Sequence, residues 1–221
     1  MSTIFTSSIG KKLMMSLAGL FLLVFLLVHL GINLLIIIFD DPMVYNKAAH
    51  FMSTNILIKI FEIVLFGGIL LHIIYALILQ IQNWIARPKR YSKANYSNTS
   101  FFSKFMIHTA IITLVFFVIH FADFYFKAKF GRAETIMVDG KLYHDFATEI
   151  VDKFKMLPFV VFYIAAFIFL GFHLVHGFQS AFKTLGLDNS RFTPVIQALA
   201  SVYSVVVVGG YTMIPLMIYF S

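Results

Sequence analysis

The chain contains no cysteine. That excludes disulfides, thiolate ligation of a metal and thioether-linked haem. Charge is scarce as well. Asp, Glu, Lys and Arg make up 12% of the 221 residues, against about 25% in soluble domains. A chain so poor in charge cannot clothe a globular surface in water. Neither an internal repeat nor a low-complexity segment is present, so a solenoid or a disordered tail has no support. What is present is apolar: 60% of residues are hydrophobic, and 27 of them are Phe. The composition is that of a membrane protein, organised as one helical unit over residues 1–221. The net charge of +7 then reflects loops facing anionic headgroups, and no nucleic-acid partner is expected.

Five apolar runs are long enough to cross a hydrocarbon core of about 30 Å, which takes roughly 20 helical residues. They lie at about 13–39, 56–85, 105–126, 156–182 and 194–220. Lipid offers no partner to backbone polar groups, so each run is predicted to be a helix. Pro158 and Pro194 fall in first turns, where the missing N–H costs little. Pro215 is expected to bend the fifth helix or loosen its last turns. The first run is too long for a cleavable signal, and no A-x-A site follows it. Between the third and fourth runs, residues 127–155 form the one sizeable extramembrane piece. It carries Val-Asp-Gly turn chemistry and an amphipathic pattern at Phe146, Ile150, Val151 and Phe154, and is expected to cap the outer face.

Orientation follows from charge. Lys and Arg divide almost evenly, nine on the N-terminal side and eight on the other, but the other side holds nine of the ten acids. Lys11 and Lys12 precede the first helix and Asp40 and Asp41 follow it. The N-terminus is therefore placed in the cytoplasm.

Eight histidines are the main chemical signal. His50 and His144 fall in segments read as outer loops, where exposure is the default, and His108 lies at the start of the third helix, near the interface. The other five, His29, His72, His120, His173 and His176, lie inside apolar helices, where an ionisable residue points to function. Helix direction sorts four of them by depth. His29 and His120 lie toward the outside, His72 and His173 toward the cytoplasm, at levels about 10 Å apart by helical rise. Two imidazoles at one depth on different helices can ligate one iron from opposite faces. Single interhelical hydrogen bonds, a proton relay or a zinc site are the competing readings. A relay normally adds deep carboxylates, and only Glu62 comes close; zinc calls for further ligands. Two bis-imidazole haems b fit the pattern best. His176, one turn beyond His173, suits either a hydrogen bond to a propionate of the inner haem or a satisfied core position. Gly19, Gly67, Gly68, Gly171 and Gly177 are read as sites of close helix or cofactor approach. Glu62, in the outer half of the second helix, is read either as an interfacial ion pair with Lys59 or as a group exchanging protons with a quinone.

The residues also resemble a family. KKLMMSLAGLFLLVFLLVHLGINL carries Gly19, His29 and Asn33. GGILLHIIYALILQIQNWIARPKRY carries His72 and the basic exit at Arg87, and FHLVHGFQSAFKTLG carries His173, Gly177, Ser180, Thr184 and Gly186. With His120 between them, these resemble the one-chain, five-helix, two-haem cytochrome b anchors of succinate:quinone oxidoreductases, most closely those of menaquinone-type succinate dehydrogenase and fumarate reductase. The resemblance implies an all-α, five-helix membrane bundle enclosing two haems b, in a bacterial cytoplasmic membrane. It implies that His72 and His173 hold the proximal haem and His29 and His120 the distal one. It further implies two partners, an FAD-bearing flavoprotein that oxidises succinate and an iron–sulfur subunit on the cytoplasmic face, with menaquinone as electron acceptor near the distal haem. No succinate site is expected on this chain. Lys183 and Arg90 suit propionates or the docked subunit, or serve as ordinary positive-inside anchors. One departure stands out: some menaquinone-reactive members carry a proton-transferring glutamate where this chain has Gly171. A dihaem cytochrome b of a hydrogenase or formate dehydrogenase, and a haem-free transporter, are the alternative functions.

Overall fold

The structure is a computed structural model, and it describes residues 7–85, 105–131, 134–138 and 140–221. Arg87 and Arg90, like the rest of the basic 86–104 segment, lie outside the described residues. Five helical spans, each long and apolar enough to cross a membrane, dominate the fold. The first is α1 (Ser8–Ile38) and the second α3 (Ile56–Ile85). The third is composite: α4 (Met106–His120), a π-helical turn (Phe121–Tyr125) and a last α-helical turn, α5 (Phe126–Lys129). The fourth and fifth are α7 (Leu157–Thr184) and α8 (Phe192–Phe220). The start of α1 lies five residues before the predicted one, because Ser7 caps it by accepting from the Gly10 N–H at 3.0 Å. Pro158 sits in the first turn of α7, as its missing donor favours. Pro215 does not end the last turns: α8 runs on past it to Phe220, with the proline wholly buried.

The helices are apolar on nearly every side, as lipid-facing helices are. Ile63 and Val205 point outward with 74% and 72% of their surface exposed. What holds the bundle together is therefore close packing and hydrogen bonding between helices. The most extensive contact joins α7 to α8. A Cβ added at Gly171 of α7 would lie 2.7 Å from Val208 Cγ2 and 3.2 Å from Ser204 Oγ of α8. The missing side chain lets the two backbones approach, and the Ser204 hydroxyl donates to the Gly171 carbonyl at 2.9 Å. Tyr203 and Tyr211 of α8 donate to the Leu23 and Leu26 carbonyls of α1 at 2.7 and 3.1 Å. By contrast, α3 rests on α1 at the periphery, and none of its side chains is fully buried.

The ends of α1, α4, α7 and the described residues of 129–155 meet in a cap at one end of the bundle. Two of its elements were predicted as loop. Residues Pro42–Thr54 form a helix, α2, capped by the Asp41 carboxylate with Pro42 in its first turn. A two-stranded hairpin, β1 (Thr135–Val138) and β2 (Lys141–His144), pairs antiparallel and turns at Gly140, whose φ of 73° suits glycine. His50 thus belongs to α2 and His144 to β2. Both are half-buried, His50 against the Tyr143 ring and His144 against Phe146. The amphipathic helix is present as α6 (Phe146–Phe154), with Ala147, Ile150 and Phe154 buried. A buried Asn46 ties α2 to α6. Its amide donates to Asp145 at 2.9 Å and its carbonyl accepts from the Ala147 N–H at 2.9 Å. Burial by itself would raise the Asp145 pKa, but the hydrogen bonds from Asn46 and Thr148 outweigh it and hold the carboxyl below its ordinary range.

Two predictions follow from these contacts. Gly171→Ala should destabilise the α7–α8 packing by about 1–3 kcal/mol, the usual cost of overfilling a tight interface; thermal unfolding in detergent measures it, and an unchanged midpoint refutes it. For the cap, a depressed folded-state carboxyl contributes stability above its unfolded value of about 3.9 that is lost as pH falls through the lower folded value. Docking of α6 should therefore loosen only below about pH 4. Asn46→Ala should cost about 1–3 kcal/mol by stranding the Ala147 N–H, and should flatten that acid dependence. Limited proteolysis across the cap, read against pH, checks both effects, and equal protection of variant and parent refutes them.

Candidate functional site

Within the bundle, four spans each bring a histidine toward a partner on another helix. His29 of α1 faces His120 at the end of α4, with ring centroids 5.9 Å apart and planes at 80°. His72 of α3 faces His173 of α7 at 6.3 Å and 72°. The pairing is the one that depth along the spans predicts. The levels are farther apart than the 10 Å expected from sequence. On α1 the inner level is marked by Gly19, where a Cβ would stand 3.6 Å from His72, and the outer level by His29, ten residues on. On α7 the marks are His173 and Tyr163, again ten residues apart, the latter 6.5 Å from His120. Ten helical residues rise about 15 Å.

Aromatic rings wall the outer pair. Phe25 stacks on His29 at 5.3 Å and 15°, and Phe116 stacks on His120 at 5.4 Å and 23°. Tyr211 and Phe124 close the sides. Asn33, one turn from His29, donates to the His29 carbonyl at 2.8 Å and places the same amide nitrogen 3.4 Å from Nδ1. The inner pair is less enclosed by rings. His72 lies against the backbone of α1 and reaches the Met15 carbonyl.

Imidazoles at these positions have an unmet need. The Nδ1 atoms of His72, His120 and His173 are buried with no hydrogen-bond partner, a state that costs about 1–3 kcal/mol each for a neutral polar group. Among the described residues no group of three or more His, Asp or Glu is arranged around a metal ion, so the zinc-type ligand set has no counterpart there. Two opposed imidazoles are the donor set of a six-coordinate haem iron. Metal–nitrogen bonds of about 2.0 Å put the two ring centroids roughly 6 Å apart, and both pairs match that spacing. The residues present therefore fit a bis-imidazole group at each level.

The remaining candidates are placed as follows. His176 is half-buried one turn beyond His173, within electrostatic range of both His173 and Lys183. Lys183 forms an exposed ion pair with Asp188 at 3.6 Å. Of the five glycines, Gly19, Gly68 and Gly171 meet a neighbouring helix, whereas a Cβ at Gly67 or Gly177 would touch nothing within 4 Å. Gly171 itself turns toward α8 and away from the histidines. Glu62 pairs with a different residue from the one expected. Its carboxylate meets Lys129 of α5 at 2.8 Å and accepts from the Tyr125 hydroxyl, while Lys59 acts on it only at longer range. Nearby, His50 and His144 line a cavity of about 250 Å³ with Ser53, Thr54, Lys129 and Tyr143.

Sequence reading missed a second polar cluster. Asp123 accepts from the Tyr163 hydroxyl at 3.1 Å and pairs with Lys153 of α6 at 2.5 Å. The sequence signal is an acid three residues after His120 inside an apolar run. The π-helical turn had no sequence signal. Comparison of the chain with protein-family models, curated proteins and solved structures gives no match.

Proposed function

We propose that the chain is the dihaem cytochrome b membrane anchor of a succinate:quinone oxidoreductase, carrying electrons from an iron–sulfur subunit to menaquinone. One observation carries the reading: an opposed histidine pair, rings near-perpendicular, at each of two depths, from four different spans, at the spacing of two imidazoles that would hold one iron. The sequence resemblance supplies the enzyme class, and the partners follow from it. In this reading His72 and His173 hold the proximal haem b, near the N-terminal, cytoplasmic face of a bacterial cytoplasmic membrane. There the iron–sulfur and flavoprotein subunits dock. His29 and His120 hold the distal haem b, toward the cap.

Haem, when bound, supplies one-electron chemistry at a potential set by its axial ligands and surroundings. The chain's own residues do the rest. The buried imidazoles present nitrogens already stripped of water, so ligation relieves an existing cost. Phe25, Phe116 and Tyr211 fix the outer imidazole planes and exclude water from them. Asn33 braces the His29 turn, its amide donating to the His29 carbonyl and lying 3.4 Å from Nδ1. At the proximal level, His176 and Lys183 lie on the side of His173 where cationic or donor groups would meet propionates. Glu62, held by Lys129 and Tyr125 at the cap side of the second span, is the group assigned to proton exchange with the quinone.

Redox titration tests the assignment. His29→Ala and His120→Ala should each abolish one potentiometric component, and His72→Ala and His173→Ala the other. His176→Ala should keep both and shift the proximal one only. Loss of one shared component in the His29 and His72 variants would overturn the pairing, and purified protein without a haem spectrum would favour a haem-free transporter. Glu62→Gln should leave both components intact and slow quinone-linked turnover at least tenfold, within the range of a lost proton-transfer group. Succinate oxidation by an artificial acceptor should be spared. Unaltered quinone turnover would reduce Glu62 to an anchor of the third span.

A further inference from the structure

The cap and the outer histidine pair share one half-buried ion pair. Lys153 of α6 is 11% exposed and Asp123, in the π-helical turn that directly follows His120, is 18% exposed; Nζ and Oδ1 lie 2.5 Å apart. The ammonium also sits 4.4 Å from the Phe159 ring centroid and 5.7 Å from that of Phe124, so an aromatic cage and one carboxylate replace its water. The other carboxylate oxygen accepts from Tyr163 at 3.1 Å. The Tyr163 ring, 2% exposed, stands edge-on to Phe116 at 5.3 Å, and Phe116 is the ring stacked on His120. On its far side Tyr163 is backed by Phe154 of α6 at 5.1 Å.

His120 is thus reached from the same ion pair by two routes. One is covalent, through Phe121 and Ala122, the two residues between His120 and Asp123. The other is packing, from Tyr163 through Phe116. A π-helical turn makes both routes possible. It departs from the regular α-helical register, sending Asp123 toward α6 and α7 and Tyr125 toward Glu62 on α3. Little water reaches Lys153 and Asp123, so their charges are poorly screened at the nearby imidazole.

We infer that Lys153 and Asp123, acting with Tyr163, are positioning residues that set the orientation and electrostatic potential of the outer histidine site from the extramembrane cap. The inference rests on the dihaem reading and adds to it a sign. Reduction of an iron centre adds negative charge, so a neighbouring cation favours the reduced form and a neighbouring anion the oxidised form. Removing either charge also leaves its partner buried and uncompensated, which enlarges the effect.

Redox titration of the purified complex, with its haems bound, decides the matter. Lys153→Met should shift the outer component, the one absent from His120→Ala, to lower potential. Asp123→Asn should shift it to higher potential. Each shift should change the reduced-to-oxidised ratio several-fold at a fixed ambient potential. Lys153→Arg should retain the parental value, and the inner component should stay in place throughout. A purely structural role would move both substitutions in one direction, or move stability alone. Either result overturns the inference, as does any shift confined to the inner component. Tyr163→Phe leaves both charges and the ring, and tests the hydrogen bond that joins Asp123 to the packing route if Lys153→Met does not assemble. It should alter the electron paramagnetic resonance signature of the outer ferric site, and an unaltered signature overturns the link. Two components in the parent with inert variants would defeat this inference alone. A parent without haem would defeat the dihaem reading and this inference together.

Discussion

A polar side chain placed inside an apolar span has to find its partner on another helix, because lipid supplies none. That constraint organises the whole molecule. Apolar side chains face outward as readily as inward here, so burial of apolar surface alone does not choose which helix packs on which. Tyr203 and Tyr211 join α8 to α1, Ser204 joins it to α7, and Glu62 with Tyr125 and Lys129 joins α3 to the third span. Each such bond in a membrane is modest, about 0.6 kcal/mol on average. Its force lies in specificity, since the wrong neighbour would leave the group unpaired.

The four paired histidines define the site. Three of their ring nitrogens remain unmet by any protein group, although the surrounding rings hold the imidazoles in place. These unmet nitrogens fall at both levels, on the helices α3, α4 and α7. Small residues help where helices must close. Gly171 allows α7 and α8 to touch, and an added side chain there would meet Val208 and Ser204. That geometry also gives a packing reason for the absence of a glutamate at this position.

The third span ties the membrane bundle to the cap. Its π-helical turn carries Asp123 and Tyr125 toward different neighbours, just beyond His120. Ion pairs that would contribute little in water are half-buried here, between helix ends and the hairpin-bearing segment. The Asn46 network adds a second tie, from α2 to α6, so that the cap is fastened to the bundle at Asp123 and to itself at Asn46.

Much of this was legible in residue order. Unbroken apolar runs specified the five spans, three of them to within a residue or two at both ends, because crossing a bilayer demands a length and a composition that no local detail can disguise. Helical rise then sorted His29, His72, His120 and His173 by depth, since distance along a straight helix depends only on residue count. The helix at Pro42–Thr54 was equally written in its Asp-Pro start, but its polar composition read as loop. Only the tertiary structure decided the rest. Lys129 rather than Lys59 became the partner of Glu62, Asp123 met Lys153, and Gly171 turned to α8. These are choices between helices far apart in sequence, made by packing and by the rotation of each helix about its axis. Periodicity in one segment carries no record of either.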